Sequence, residues 1–397
     1  MGSRMQRFQR LGIGILGALT GLAATTLQQA EAMPMVKATP IPTYGIEAVT
    51  TTGMGSMAMG GANWMRMMMG GAPSMGTSTN RSLELRLASP QVVTNPTAEH
   101  RIPEGLGMGT ALPLKSTSTG KGEQPVWKED ELMQGKGRML LFRGCTESAA
   151  ANQPEVVLMQ GWSAEQKRQA MAALKDLPSM SWSVDGSGTF GTWPPTTESP
   201  PVALHGSLVG NHTVVSTYAP EIRFAVERSH DFLAPVQLKS RTVSGGARAL
   251  SWQVVPTALG YQATAAGAGK QEGDIVMWTS SEAPRNVSDV PSDVRASEAV
   301  RLVQRKVLLS PERTNCAISA QAMAAMQGMT MVTFTAYGDT LLLSSPQGTQ
   351  AWKLSLERRS TTTLPVGEAM DQMTGGSGAE GEQAPPKRKG FNPLQLF

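Results

Sequence analysis

The sequence predicts a mainly β protein: two sandwich-like antiparallel β units with one or two short helices, flanked by disordered N- and C-terminal arms. Three observations predict it. Short apolar runs, some alternating polar and apolar with period two, recur between clusters of Gly, Pro, Ser and Thr, as half-buried strands and their turns do. Helical spacing is confined to two short stretches, 163–177 and 293–306. The two ends are rich in Gly, with Met at one end and Pro and charge at the other, a composition that buries no core.

Taken in chain order, residues 1–32 read as a cleaved secretory signal peptide. Arg4, Arg7 and Arg10 form a basic head, residues 11–24 are an uncharged run too short to span a bilayer, and Ala30-Glu-Ala32 supplies the small residues that signal peptidase requires. An uncleaved anchor is the alternative. The expected destination is the periplasm or the medium outside the cell. Residues 33–80 form a Met- and Gly-rich segment expected to be disordered. From Arg81 the pattern changes, because Leu83-Glu-Leu-Arg-Leu87 alternates as a strand, and a β-rich unit is expected over 81–234. Its further strands are Arg138-Met-Leu-Leu-Phe142, Glu155-Val-Val-Leu-Met159, Thr213-Val-Val-Ser216 and Glu221-Ile-Arg-Phe-Ala-Val226. Its helix, 163–177, opens on a capping box, Ser163-Ala-Glu-Gln166, and carries Ala170, Met171, Leu174 and Leu177 on one face.

A second β unit is expected over 235–363. Ala249-Leu-Ser-Trp-Gln-Val-Val255, a short loop and Tyr261-Gln-Ala-Thr-Ala265 open it, and the runs at 274–278, 331–337, 340–343 and 352–357 continue it. Ala296, Val300, Val303 and Val307 place its helix at 293–306. The segment around 249–265 resembles fibronectin type III-like sandwiches, and the resemblance implies that Trp252 packs between two sheets while Tyr261 opens the neighbouring strand. From 138 to 359 the chain resembles a family of uncharacterised exported proteobacterial proteins. That resemblance rests on Gly144-Cys145, Gln153-Pro154, Gly206-Ser-Leu-Val-Gly-Asn-His212, Asp231-Phe-Leu-Ala-Pro235, Leu250-Ser-Trp252 and Val307-Leu-Leu-Ser-Pro311 with Cys316. Phe142-Arg143 stands where the family pattern has Tyr-Trp. The family implies export and a β-rich body and brings no cofactor or catalytic residue. Residues 364–397 are expected to form a disordered tail with a basic-hydrophobic end.

Chemistry is sparse. A formal net charge of +4 spread over 397 residues makes no case for nucleic acid. The two cysteines, Cys145 and Cys316, are expected to form a disulfide in an exported chain, with two buried thiols as the alternative. Met54, Met57, Met59, Met65, Met67, Met68, Met69 and Met75 offer soft thioethers to Cu(I), or else form a flexible, oxidisable linker. Copper is therefore the one cofactor the sequence suggests. His205 and His212 lie close enough in sequence to face one cleft, but His100, His205, His212 and His230 lack a metal-binding spacing. Gly186-Ser-Gly-Thr-Phe-Gly191 matches a dinucleotide loop by letter, yet Trp193-Pro-Pro195 stands where its helix would begin. In the tail, Lys387, Arg388 and Lys389 precede Phe391, Leu394, Leu396 and Phe397, a cluster suited to docking on an envelope protein or a membrane surface. The functional expectation is an exported, non-catalytic binding or structural envelope protein. The alternatives are a copper-binding accessory protein and an exported hydrolase whose site is not recognisable.

Overall fold

The computed structural model describes residues 41–53, 79–118, 138–158, 188–195, 202–283, 294–345 and 351–367. The fold is mainly β, as the sequence predicts. The strands are β1 (Thr43–Gly53), β2 (Asn80–Ser89), β3 (Ala98–Arg101), β4 (Ala111–Thr117), β5 (Arg138–Arg143), β6 (Glu155–Leu158), β7 (Thr189–Trp193), β8 (Gly210–Ser216), β9 (Ile222–Val226), β10 (Lys239–Thr242), β11 (Arg248–Ser251), β12 (Ala258–Ala268) and β13 (Ile275–Thr279). Helix α1 (Ala296–Gln304), β14 (Asn315–Ile318), helix α2 (Ala320–Ala325), β15 (Gln327–Gly338), β16 (Leu341–Ser344) and β17 (Lys353–Val366) complete them. The leader expected at 1–32, the Met cluster, the helix expected at 163–177 and the basic-hydrophobic cluster expected to dock at the C-terminus lie outside the described residues.

One large sheet runs in the order β6-β5-β13-β12-β15-β17-β1-β2-β7-β4-β3-β8-β9, with β16 beside β17, and a small sheet has the order β10-β11-β14. Most pairings are antiparallel, but β1 joins β17 and β5 joins β13 in parallel. Placing all of 33–80 in a disordered arm is thus corrected, since Thr43–Gly53 is an inner strand between β17 and β2. Tyr44, Ile46 and Ala48 alternate inward and three threonines follow, a β pattern concealed by the Gly- and Met-rich composition downstream. Its partner β17 begins at Lys353, so nothing nearby in sequence announces the pairing.

Two hydrophobic clusters lie on the same face of the large sheet, because their residues share one register parity along β17: Leu354 and Leu356 in the first, Leu364 and Val366 with the second. Around the first, the strands from β17 to β9 curl. Tyr44 on β1 touches His100 on β3 although β2, β7 and β4 intervene, and a flat sheet could not bring them together. Over the second cluster the small sheet and α2 form an opposing layer, contributing Leu250, Cys316, Ile318 and Ala322 against Tyr261, Trp278, Val332 and Phe334. The Cys145–Cys316 disulfide (Cα–Cα 4.7 Å) fastens β14 of this layer to the residues that follow β5 of the large sheet.

Between the clusters, residues 231–238 cross the sheet, which accounts for the boundary read near Pro235. Thr50 and Thr52 of β1 donate to the carbonyls of Leu233 (2.8 Å) and Val236 (3.1 Å), and Ser360 accepts from the Val236 amide (3.2 Å). The units are not sequential, however. β1 and β17 serve the first core from opposite ends of the chain, and β5, expected in the first unit, pairs with β13 beside the second core.

Helix α1 falls inside the expected 293–306, but its buried face is Ala299 and Leu302, whereas Val300 is exposed. It packs with Val294, Val307 and Leu308 against Tyr337 of β15. The six-residue α2, capped by Ser319 Oγ accepting from the Ala322 amide (3.3 Å), has too few turns to register as a helical period in sequence.

Candidate functional site

Among the described residues, the fold assembles a buried chain of three titratable side chains. Tyr44 of β1, His100 of β3 and His212 of β8 are each at most 2% exposed. The ring nitrogens His100 Nε2 and His212 Nδ1 are 3.0 Å apart, Tyr44 Oη is 2.9 Å from His100 Nδ1, and His212 Nε2 is 2.7 Å from the Leu208 carbonyl. A carbonyl only accepts, so His212 Nε2 carries the hydrogen and donates. In a neutral ring Nδ1 is then an acceptor, and His100 Nε2 donates to it; His100 Nδ1 in turn accepts from the Tyr44 hydroxyl. One consistent proton order satisfies every group, provided both rings are neutral.

The surroundings enforce that neutrality. Burial, with a smaller contribution from His212, lowers the His100 pKa from 6.5 to about 3, and burial also lowers that of His212 despite its bond to Leu208. Burial, and then Tyr218, hold the Tyr44 hydroxyl protonated well above its ordinary range. His212 stacks on Phe224 at 4.8 Å, and Tyr44 meets His100 edge-on at 5.5 Å, so the rings also contribute apolar packing. The arrangement locks three strands together. Tyr44→Phe removes the donor and leaves His100 Nδ1 buried without a partner, so a loss of about 1–3 kcal/mol is expected in urea unfolding; an unchanged midpoint would place no weight on this bond.

The Leu208 loop links the chain to a second, half-buried polar group. Asp231 accepts from the Leu208 amide (2.8 Å), the Phe232 amide (2.8 Å) and Ser207 Oγ (2.6 Å). Its carbonyl accepts from Arg358 Nη1 (3.2 Å), while Arg358 Nε donates to the Asp339 carbonyl (3.2 Å). Arg358, 3% exposed, thereby braces the crossing segment against the turn after β15.

On the opposite face of the sheet, Glu84, Glu47 and Glu357 stand side by side on β2, β1 and β17 by register. Arg359 pairs with the buried Glu47, and Arg86 pairs with Glu84 at 2.8 Å. Burial lowers the Arg359 pKa to about 10, which still leaves it charged at neutral pH and able to offset the row of carboxylates. Beside them, threonines pair across strands: Thr335 with Thr361 at 3.3 Å and Thr333 with Thr363 at 3.5 Å.

His205 and His212 are not brought together, because His205 sits on an exposed turn while His212 points into the core. Sequence reasoning missed Tyr44 and the inward role of His100. A signal for His100 existed: in Ala98-Glu-His-Arg101 the charged residues flank it at odd offsets, which turns the imidazole to the core side of an alternating strand. Comparison with protein-family models, curated proteins and solved structures finds no match to this chain.

Proposed function

We propose that the chain is an exported, non-catalytic binding or structural protein of the envelope. The observation that carries the reading is the Cys145–Cys316 disulfide, which joins two layers of the fold across 171 residues and is characteristic of chains that fold in an oxidising compartment. The leader-like composition of residues 1–32 supports the same destination. The Trp252–Tyr261 packing is in keeping with the resemblance to fibronectin type III-like modules, which serve widely as binding and spacer units. In this reading the basic-hydrophobic cluster of Lys387, Arg388, Lys389, Phe391, Leu394, Leu396 and Phe397 docks the body on an envelope partner or membrane surface.

Expression in a Gram-negative host followed by fractionation tests this. The expected product begins at Met33 by N-terminal sequencing, appears outside the cytoplasm and yields a disulfide-linked Cys145–Cys316 peptide on non-reducing mapping. Deleting 385–397 is expected to reduce co-sedimentation with envelope fractions. A cytoplasmic product retaining residues 1–32 would overturn the proposal. Replacing both cysteines by Ala is expected to lower stability by about 2–4 kcal/mol, since the bond closes a long loop in the unfolded chain.

A further inference from the structure

Strands β5 and β13 carry unbroken apolar runs, Met139-Leu-Leu-Phe142 and Ile275-Val-Met-Trp278, where a strand wetted on one face would alternate. Leu140, Phe142, Val276 and Trp278 belong to the second core. Met139, Leu141 and Met277 therefore point to the other face of the sheet, and there they are only 6%, 4% and 2% exposed. By register Met277 stands beside Leu141 and Ala266, Ala266 beside Met331, and Met139 beside Ile275, so the strands present one apolar patch. None of these side chains belongs to the three clusters of buried apolar residues among the described residues. Helix α1 packs on the same face at Tyr337, which lies about 20 Å along β15 from Met331. A methionine in the middle of a bare sheet face keeps much of its surface exposed. The burial of Met277 thus calls for an apolar layer that α1 does not provide.

The path of the chain indicates which segment supplies it. Strand β6 ends at Leu158, which pairs with Arg138 next to Met139. The following described strand is β7, eight places away in the order β6-β5-β13-β12-β15-β17-β1-β2-β7. At about 4.8 Å per strand, the connection travels up to about 38 Å. Toward the second core the small sheet and α2 already stand against this part of the sheet, so the open route runs over the patch. Within that connection Ala170, Met171, Leu174 and Leu177 recur at helical spacing. We infer that residues 163–177 pack as an amphipathic helix on Met139, Leu141 and Met277, with Ala170, Met171, Leu174 and Leu177 toward the sheet. A helix about 10 Å across spans two neighbouring strands, and methionine adapts to such a surface. Residues 119–137 also end beside the patch, but there Val126-Trp127 and Leu132-Met133 are separated by Lys128-Glu-Asp-Glu131 and form no continuous stripe.

Photo-crosslinking of the full-length chain tests the assignment, with p-benzoylphenylalanine, which reacts readily with methionine, in place of Leu174. Adducts on the peptides that carry Met139, Leu141, Met277 or Met331 are expected by mass spectrometry; adducts confined to other regions, or none, would overturn the inference. A double-substitution cycle gives a second readout. Met277→Ala and Leu174→Ala are each expected to lower the thermal midpoint, and the combined variant to lose clearly less than the two separate losses together, because both side chains belong to one contact. Gln169→Ala, on the far side of the helix, is expected to leave the midpoint in place. Additive losses, or coupling of Met277→Ala to Leu132→Ala in place of Leu174→Ala, would overturn the inference. These readouts do not depend on where the protein resides, so they fail separately from the proposed export.

Discussion

Lowering the pH from about 6.5 to about 3 is expected to remove up to about 5 kcal/mol of stability through His100 alone, with His212 adding in the same direction. The sign follows from proton counting. Each folded-state pKa is depressed below its unfolded value, so the unfolded chain binds more protons across this window and stability rises with pH. The contribution is complete above about 6.5 and is lost as pH falls through the folded value near 3. Burial is the main cause of the resistance to protonation, and the hydrogen-bond order is consistent with it. A proton on His212 Nδ1 would face the hydrogen already on His100 Nε2, and relieving that clash means reversing every donor back to Tyr44 in a site closed to water. Carboxylates such as Asp274, held low by hydrogen bonds from Arg138, add to the loss in the same direction once the pH falls below about 5, so the interval from pH 6.5 to 5 weights the histidines most. His230, lowered by burial and then by Arg358, titrates in the same direction, and a His230→Gln background removes it. Chemical denaturation at half-unit steps in that background measures the slope; a flat profile between pH 6.5 and 5 would show that the buried rings do not titrate as the geometry requires.

Trp252→Ala is expected to cost about 3–5 kcal/mol, within the range for emptying a large aromatic site. Trp252 is 5% exposed and lies 4.5 Å from Phe334 and 5.7 Å from Tyr261, between the small sheet and the large one. The three rings form the centre of the second core, and Tyr261 Oη also accepts from the Val255 amide (3.0 Å), fixing the loop that leads from Trp252 into β12. The indole N–H has no protein acceptor among the described residues. Trp252→Phe keeps most of the ring packing and removes that buried donor, so it is expected to cost less than about 1.5 kcal/mol. Calorimetric midpoints of the two variants decide the matter: equal losses would point to the indole nitrogen, and no loss in either would remove Trp252 from the core.

The legible parts of this fold were those with local signals. Leu83, Leu85 and Leu87 alternate with polar residues, and β2 lies there with all three buried. α1 lies where Ala296, Val300, Val303 and Val307 suggested a helix, though its buried face is Ala299 and Leu302, Val300 is exposed, and Val307 lies beyond the helix end, where it packs with Leu308 in the same cluster. The unit boundary read near Pro235 falls on the segment that crosses the sheet, where Asp231 accepts from the Leu208 and Phe232 amides.

By itself the sequence determined the β class and the cysteine pair, since these follow from residue type and short-range period, and from an even cysteine count in a chain with a leader-like start. Only the tertiary structure decided that β1 belongs beside β17, that β5 belongs beside β13, and that Tyr44, His100 and His212 meet in one proton-ordered chain. Each of these joins residues dozens to hundreds of positions apart, and such contacts depend on how strands order and curl around a shared core. A single chain's periodicity records which side of a strand is apolar, but not which strand lies next to it.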